Sequence, residues 1–307
     1  MQRKIRLAYR DDDRTPVIFC IREMAARYYD TDVEIVRIKG TEEYEAALFD
    51  DRCDILIEHL EYLYERAAEG EKITMFCAPS RGGNLELVVP AHVQSLEEFK
   101  GKTLAIRSSG QPHAVAVWLR MMGLEKEVKT LVVKDSEVGR WGQWKKVAAE
   151  ECIATFTSPL YLPEALAAGL KALPVPEIPI VGHFAQACLS DFARKNSAFF
   201  KDYVKAVIHA VCLMVLRRDE ALKIVSGEPR KRMKIESEED LERQFDSIVR
   251  GLKLKPYPAP QALANTYEIA TLEYPAAKGL NPLSLWDLHW VKELDDEGFI
   301  AALINQM

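Results

Sequence analysis

Several short runs of this 307-residue chain carry side chains able to grip or transform a small molecule, and most follow an apolar stretch. Arg10 and Arg14 bracket three consecutive aspartates at 11–13. Guanidinium groups there can pair with an acidic ligand. The aspartates suit the opening turn of a helix. Neighbouring side chains diverge and no calcium-loop spacing is present, so no metal is expected. Glu58 and His59 follow the run 54–57. His59 is the natural proton carrier near neutral pH, although a hydrogen-bonded structural histidine fits the same position. Arg81 stands beside Gly82 and Gly83. After the run 103–107 come Ser108, Ser109, Gly110 and Gln111, then Pro112 and His113. A strand feeding a helix start there gathers free N–H groups and hydroxyls at one point, which suits a carboxylate, sulfonate or phosphate. Ordinary helix capping would use the same residues. Arg140 and Trp141, with Trp144 three residues on, can wall an aromatic ligand or cover a core. Thr157 and Ser158 offer two hydroxyls at the end of the run 152–156.

The elements that must position these groups alternate. Residues 5–9, 33–38, 54–57 and 73–77 read as strands. Between them lie helical patterns at 16–29, from Thr41 through Leu48, and at 60–68. Such a series predicts a mainly parallel sheet covered on both faces. The run 84–90 is a strand with no helix before it, only Ser80, Arg81, Gly82 and Gly83. A second series follows: strands at 103–107, 129–134 and 152–156, and helices at 112–122, 142–149 and 163–168. Pro174, Pro176 and Pro179 stiffen an extended segment before a returning strand at 183–189. Beyond Ser197 the chain reads as helices near 197–226, 237–251, 260–276 and 284–305. That order predicts an α/β protein of two lobes, one inserted in the other: 1–82 with 190–307, and 83–189. Ligands of such sheets bind at the carboxyl ends of the strands, in a cleft between lobes.

Composition narrows the partners. The formal charge is −6, so no broad basic face for nucleic acid is expected, and the cluster Arg230, Lys231, Arg232, Lys234 reads as a solvated turn. None of the six cysteines lies within four residues of another, which excludes a CxxC metal or redox pair. Glycine loops of the dinucleotide or P-loop kind are missing, so no cofactor is indicated. No run approaches the ~20 apolar residues of a membrane span. The basic start MQRKIR is followed by no apolar leader core. A cytoplasmic location is therefore expected, or a periplasmic one if a leader has been trimmed. A homodimer remains open.

The order of these features resembles the type 2 periplasmic-binding-protein fold, in its nitrate, taurine and thiamine-pyrimidine substrate-binding branch. The resemblance rests on the opening strand 5–9, on Val33 to Val36 with Gly40 and Tyr44 to Leu48, and on Cys53-Asp54-Ile55-Leu56. It rests also on SLEEFKGKTLA at 95–105 and on the last helix from Asp287, ending LDDEGFI at 294–300. It implies a venus-flytrap protein that closes on one small ligand, of the kind that feeds an ABC transporter, the ligand being an anionic or aromatic carboxylate or sulfonate. The same fold also carries enzymes. The alternative it leaves open is a cytoplasmic decarboxylase or lyase acting on a small or aromatic carboxylate, with His59 as acid or base. A ligand-gated sensor is a third reading.

Overall fold

The structure is a computed structural model and describes residues 3–10, 14–58, 60–82, 85–108, 112–182 and 184–306. His59, Ser109, Gly110 and Gln111 therefore lie outside the described residues, as do the aspartates 11–13 and His183.

The chain begins β1 (Arg3–Tyr9), α1 (Thr15–Tyr28), β2 (Thr31–Arg37), α2 (Thr41–Ala46), β3 (Ile55–Ile57), α3 (Leu63–Ala68) and β4 (Ile73–Cys77). It continues β5 (Glu86–Pro90), β6 (Thr103–Arg107), α4 (Pro112–Met121), β7 (Lys129–Val133), α5 (Asp135–Val138), α6 (Trp144–Ala148), β8 (Ala154–Thr157), α7 (Leu162–Ala167) and β9 (Leu170–Leu173). It closes with β10 (Gln186–Leu189) and eight helices: α8 (Ser190–Lys195), α9 (Ser197–Leu216), α10 (Arg218–Val225), α11 (Glu228–Met233), α12 (Glu238–Arg250), α13 (Pro260–Glu273), α14 (His289–Asp296) and α15 (Phe299–Gln306).

Two compact units result: unit 1 is Met1–Gly82 with Val181–Met307, and unit 2 is Gly83–Ile180. The sheet of unit 1 runs β2-β1-β3-β10-β4. β1 pairs parallel with β2 and β3, and β10 is antiparallel to β3 and β4. One reversed strand thus sits among four that share a direction. β3 is buried throughout, as its Ile-Leu-Ile run requires between two neighbours. The 20-residue α9 buries most of its length; its Phe200 ring meets Phe76 edge-on at 4.7 Å and Trp290 at 4.7 Å.

The sheet of unit 2 runs β7-β6-β8-β5-β9, with β5 the reversed strand. Buried Trp118 of α4 stacks edge-on against Phe156 of β8 at 5.0 Å and donates its indole N–H to the Pro176 carbonyl at 3.2 Å. The SLEEF segment is a 3-10 turn (Leu96–Phe99) with a Ser95–Glu98 capping box.

Several expectations need correction. The second lobe boundary falls at 180/181 rather than 189/190, because β10 inserts between β3 and β4 of unit 1. The helix expected at 197–226 is broken at Arg217, whose φ/ψ of −128°/57° is not helical, and α11 starts afresh with a proline in its first turn. The helix expected at 284–305 is two, because Gly298 adopts φ 78° between α14 and α15. β9 is an edge strand the sequence reading missed, just before the proline segment.

Candidate functional site

β1 and β3 lie side by side and parallel, so the residues that follow them emerge at one sheet edge. Arg10 leaves β1, Arg14 stands at the start of α1, and Glu58 leaves β3. The structure brings all three together. Arg10 Nη2 lies 3.4 Å and Arg14 Nη2 3.5 Å from the same oxygen, Oε1 of Glu58. Glu58 is 0% exposed and Arg14 2%. Arg10 also donates through Nη1 to Thr41 Oγ1 at 3.0 Å, and its guanidinium lies 5.9 Å from the Tyr44 ring centre.

Two buried phenols complete this edge: Tyr44 of α2 and Tyr62, just before α3. Burial pushes both hydroxyls well above the usual phenol range, and the negative charge of Glu58 adds to each. Burial also raises the Glu45 carboxyl, against the pull of Arg10. Among the described residues Arg14 Nε, Glu58 Oε2, Tyr44 Oη and Tyr62 Oη have no hydrogen-bond partner. Four such buried polar atoms, one a guanidinium donor and one a carboxyl oxygen, are costly unless a partner satisfies them.

The corresponding edge of unit 2 is built differently. Arg107 ends β6 and grips Asp135 of α5 with Nε and Nη2, at 2.9 and 2.5 Å from Oδ2. Gln143 donates to Asp135 Oδ1 at 3.0 Å and to the Val133 carbonyl at 3.1 Å. Burial lifts the Asp135 carboxyl, but the hydrogen bonds from Arg107 and Gln143 outweigh it and hold the group below its ordinary range. The guanidinium stacks 4.6 Å over the Trp141 ring. Trp141 adopts φ 56°, a left-handed conformation that a tryptophan takes only when its surroundings hold it there. Gly142 follows because nothing larger fits: a Cβ there would lie 2.2 Å from the Val138 carbonyl oxygen.

The remaining expected residues are spread out. In the β6–β8 register Thr157 lies level with Arg107, at the carboxyl end of the sheet. Its hydroxyl is buried with no partner among the described residues. Ser158 is buried beside it and accepts the Leu160 N–H at 3.4 Å. Ser108 and Arg140 are exposed, and His113 half-buried in the first turn of α4. Arg81 is committed to backbone: its N–H reaches the Gly251 carbonyl at 2.8 Å and its Nε the Leu252 carbonyl at 3.2 Å. Tyr44, Tyr62, Arg107, Asp135 and Gln143 were not anticipated. The available signal was positional: Arg107 ends a strand, and an aspartate follows the strand beside it.

Unit 1 also has two depressions of about 900 and 580 Å³. Neither is lined by any of the expected site residues.

No family model and no curated protein matches the chain. Solved structures do. The periplasmic sulfonate-binding protein SsuA of Methylobacillus flagellatus superposes with TM-score 0.68 at 17% identity, covering 97% of this chain and 96% of that one. The ligand-binding component of an ABC-type import system from Staphylococcus aureus, solved with zinc, gives 0.68 at 10% identity, over 95% and 99%. A conserved Candida albicans gene product described as having the generic periplasmic-binding-protein fold gives 0.57 at 17% identity, over 95% and 94%. Likeness at such identities is likeness of fold. The chain has the two-lobed periplasmic-binding-protein fold, as its element order led us to expect.

Proposed function

We propose that this chain is a small-molecule binding protein of the substrate-binding type, taking its ligand at the carboxyl edges of its strands. The observation that carries the reading is the edge of unit 1, where Arg10, Arg14, Glu58, Tyr44 and Tyr62 converge and four buried polar atoms have no hydrogen-bond partner among the described residues. Open α/β sheets bind ligands at that edge. Structural neighbours named for sulfonate binding and for import support the same use of the fold. Arg10, Arg14 and Glu58 are proposed ligand contacts in unit 1. Ser108, Thr157 and Ser158 are proposed contacts in unit 2, with Trp141, Arg140 and His113 at their margin. The enzymatic alternative hung on His59, which lies outside the described residues, and no observed geometry favours it.

Thermal unfolding in the presence of a panel of small carboxylates, sulfonates, amines and amidines tests the reading. A ligand at a hundred times its Kd adds about 2.7 kcal/mol to the stability of the state that binds it. At least one compound is expected to raise Tm while its concentration stays constant by NMR. Consumption of that compound, or a panel with no effect, overturns the proposal. Two finer points belong to the same preparation. Light scattering separates monomer from homodimer. Cell fractionation tests the periplasmic location suggested by the neighbours' names. Among the described residues no helix is long and apolar enough to cross a membrane.

A further inference from the structure

Resting on that binding reading, we infer that the ligand presents an N–H-bearing group (amine, amidine or amide) to Glu58, Tyr44 and Tyr62 of unit 1. Glu58 has no access to solvent, yet both guanidinium contacts crowd onto Oε1, and at 3.4 and 3.5 Å they are long for charge-assisted bonds. Oε2 is left with nothing among the described residues. An ionised carboxylate can only accept hydrogen bonds, so its complement must be a donor. The two phenols can donate or accept, and their hydroxyls are vacant as well. Arg10 ties the set together in space: its Nη2 lies 3.4 Å from Glu58 Oε1 and its guanidinium 5.9 Å from the Tyr44 ring centre, and the charge of Glu58 bears on both phenols.

A nitrogen carrying two hydrogens satisfies this set, donating one to Oε2 and the other to a phenol oxygen. A sulfonate or carboxylate can take hydrogens from Arg14 Nε and from the phenols but cannot satisfy Oε2, which its oxygens would face lone pair to lone pair. A site built to hydrogen-bond an N–H group discriminates strongly against the analogue lacking it, because the buried acceptor is then left unpaired.

Acetamidine and acetate have nearly the same size and opposite hydrogen-bonding character, which makes them the probes. Crystals of the intact chain soaked in acetamidine are expected to show it on Glu58 Oε2 and at least one phenol oxygen, with acetate absent from that position. In solution, NMR titration of Glu58→Gln should give an acetamidine Kd raised roughly tenfold or more. Tyr44→Phe and Tyr62→Phe remove a vacant hydroxyl without changing shape. They should fold with unchanged or slightly higher Tm and weaken acetamidine severalfold. The inference is overturned by acetate in the position, by ordered water alone, by an empty position, or by variants that bind as the parent does. Its failure is distinct from failure of the binding reading. A panel compound with no N–H group that raises Tm equally in the parent and in Glu58→Gln sinks the inference and leaves the binder. A panel with no effect sinks the binder itself.

Discussion

Unit 1 orders its strands β2-β1-β3-β10-β4 and unit 2 orders them β7-β6-β8-β5-β9; position by position the two sheets correspond, each with its reversed strand fourth. Their carboxyl edges do not correspond. In unit 2 an arginine and an aspartate grip one another with two short bonds, a glutamine braces the aspartate, and a tryptophan caps the arginine. In unit 1 two arginines share one oxygen of a fully buried glutamate and leave the other oxygen unused. The leftover side-chain atoms of the unit 2 edge, Thr157 Oγ1, Gln143 Oε1 and Trp144 Nε1, are neutral. One topology therefore supports two kinds of edge. The edge of unit 2 pairs the charges of Arg107 and Asp135 internally and has only neutral atoms to offer a ligand. The edge of unit 1 holds capacity in reserve, as a recognition surface does.

Breaking each ionic cluster gives the largest contrast. Glu58→Ala removes a fully buried carboxylate that the buried Arg14 side chain faces and is expected to cost about 3 kcal/mol. Asp135→Ala acts on a pair whose carboxylate is 30% exposed, and is expected to cost about 1 kcal/mol. Urea unfolding of both variants measures the difference, and equal losses would erase the distinction between the edges.

The backbone around Trp141 sharpens the same comparison. Gly142→Ala drives a methyl group into the Val138 carbonyl and is expected to cost about 1–3 kcal/mol in the same assay. A neutral result would show that the Trp141 turn can relax, and that the unit 2 edge is less rigidly built than its bonds imply.

Smaller still is the response to acid. Burial holds the His209 imidazole of unit 1 below 6.5. A base with a depressed folded-state pKa contributes stability that is complete above its unfolded value and is lost as pH falls through the folded one. The Asp135 carboxyl of unit 2 is held below 3.8, so its contribution persists until the pH falls past that value. On acidification unit 1 should weaken first. Urea midpoints measured from pH 7 to pH 3 should show a loss beginning near 6.5 that His209→Gln abolishes, and a later one below about 4 that Asp135→Asn abolishes. A single loss unaffected by His209→Gln would refute the order.

Much of the fold was legible before any coordinates. Strand runs such as 73–77 and 103–107 match the observed strands residue for residue, because a buried strand must be apolar along its length. Breaks within helices were not legible. Arg217 and Gly298 interrupt long apolar periodicities that continue on either side, and the periodicity alone does not register a turn. At the candidate site, Arg10, Arg14 and Glu58 stood out because charged residues directly after apolar strands must sit at a sheet edge. Tyr44 was read as part of an apolar helix stripe, and its ring is indeed buried. Only its hydroxyl, seen beside Glu58, gives it a chemical part.

The sequence by itself determined most of the strands and helices, β9 and the helix breaks at Arg217 and Gly298 apart, and that charged residues follow β1 and β3, because local pattern and chain order carry that information. Only the tertiary structure decided that β10 enters the first sheet rather than the second, that two arginines converge on one glutamate oxygen, and that two tyrosines from separate segments join them. The arginine–glutamate pairs are 44 and 48 positions apart in sequence and the β10–β3 pairs 129 to 133, and no local pattern encodes which distant partner a side chain will meet.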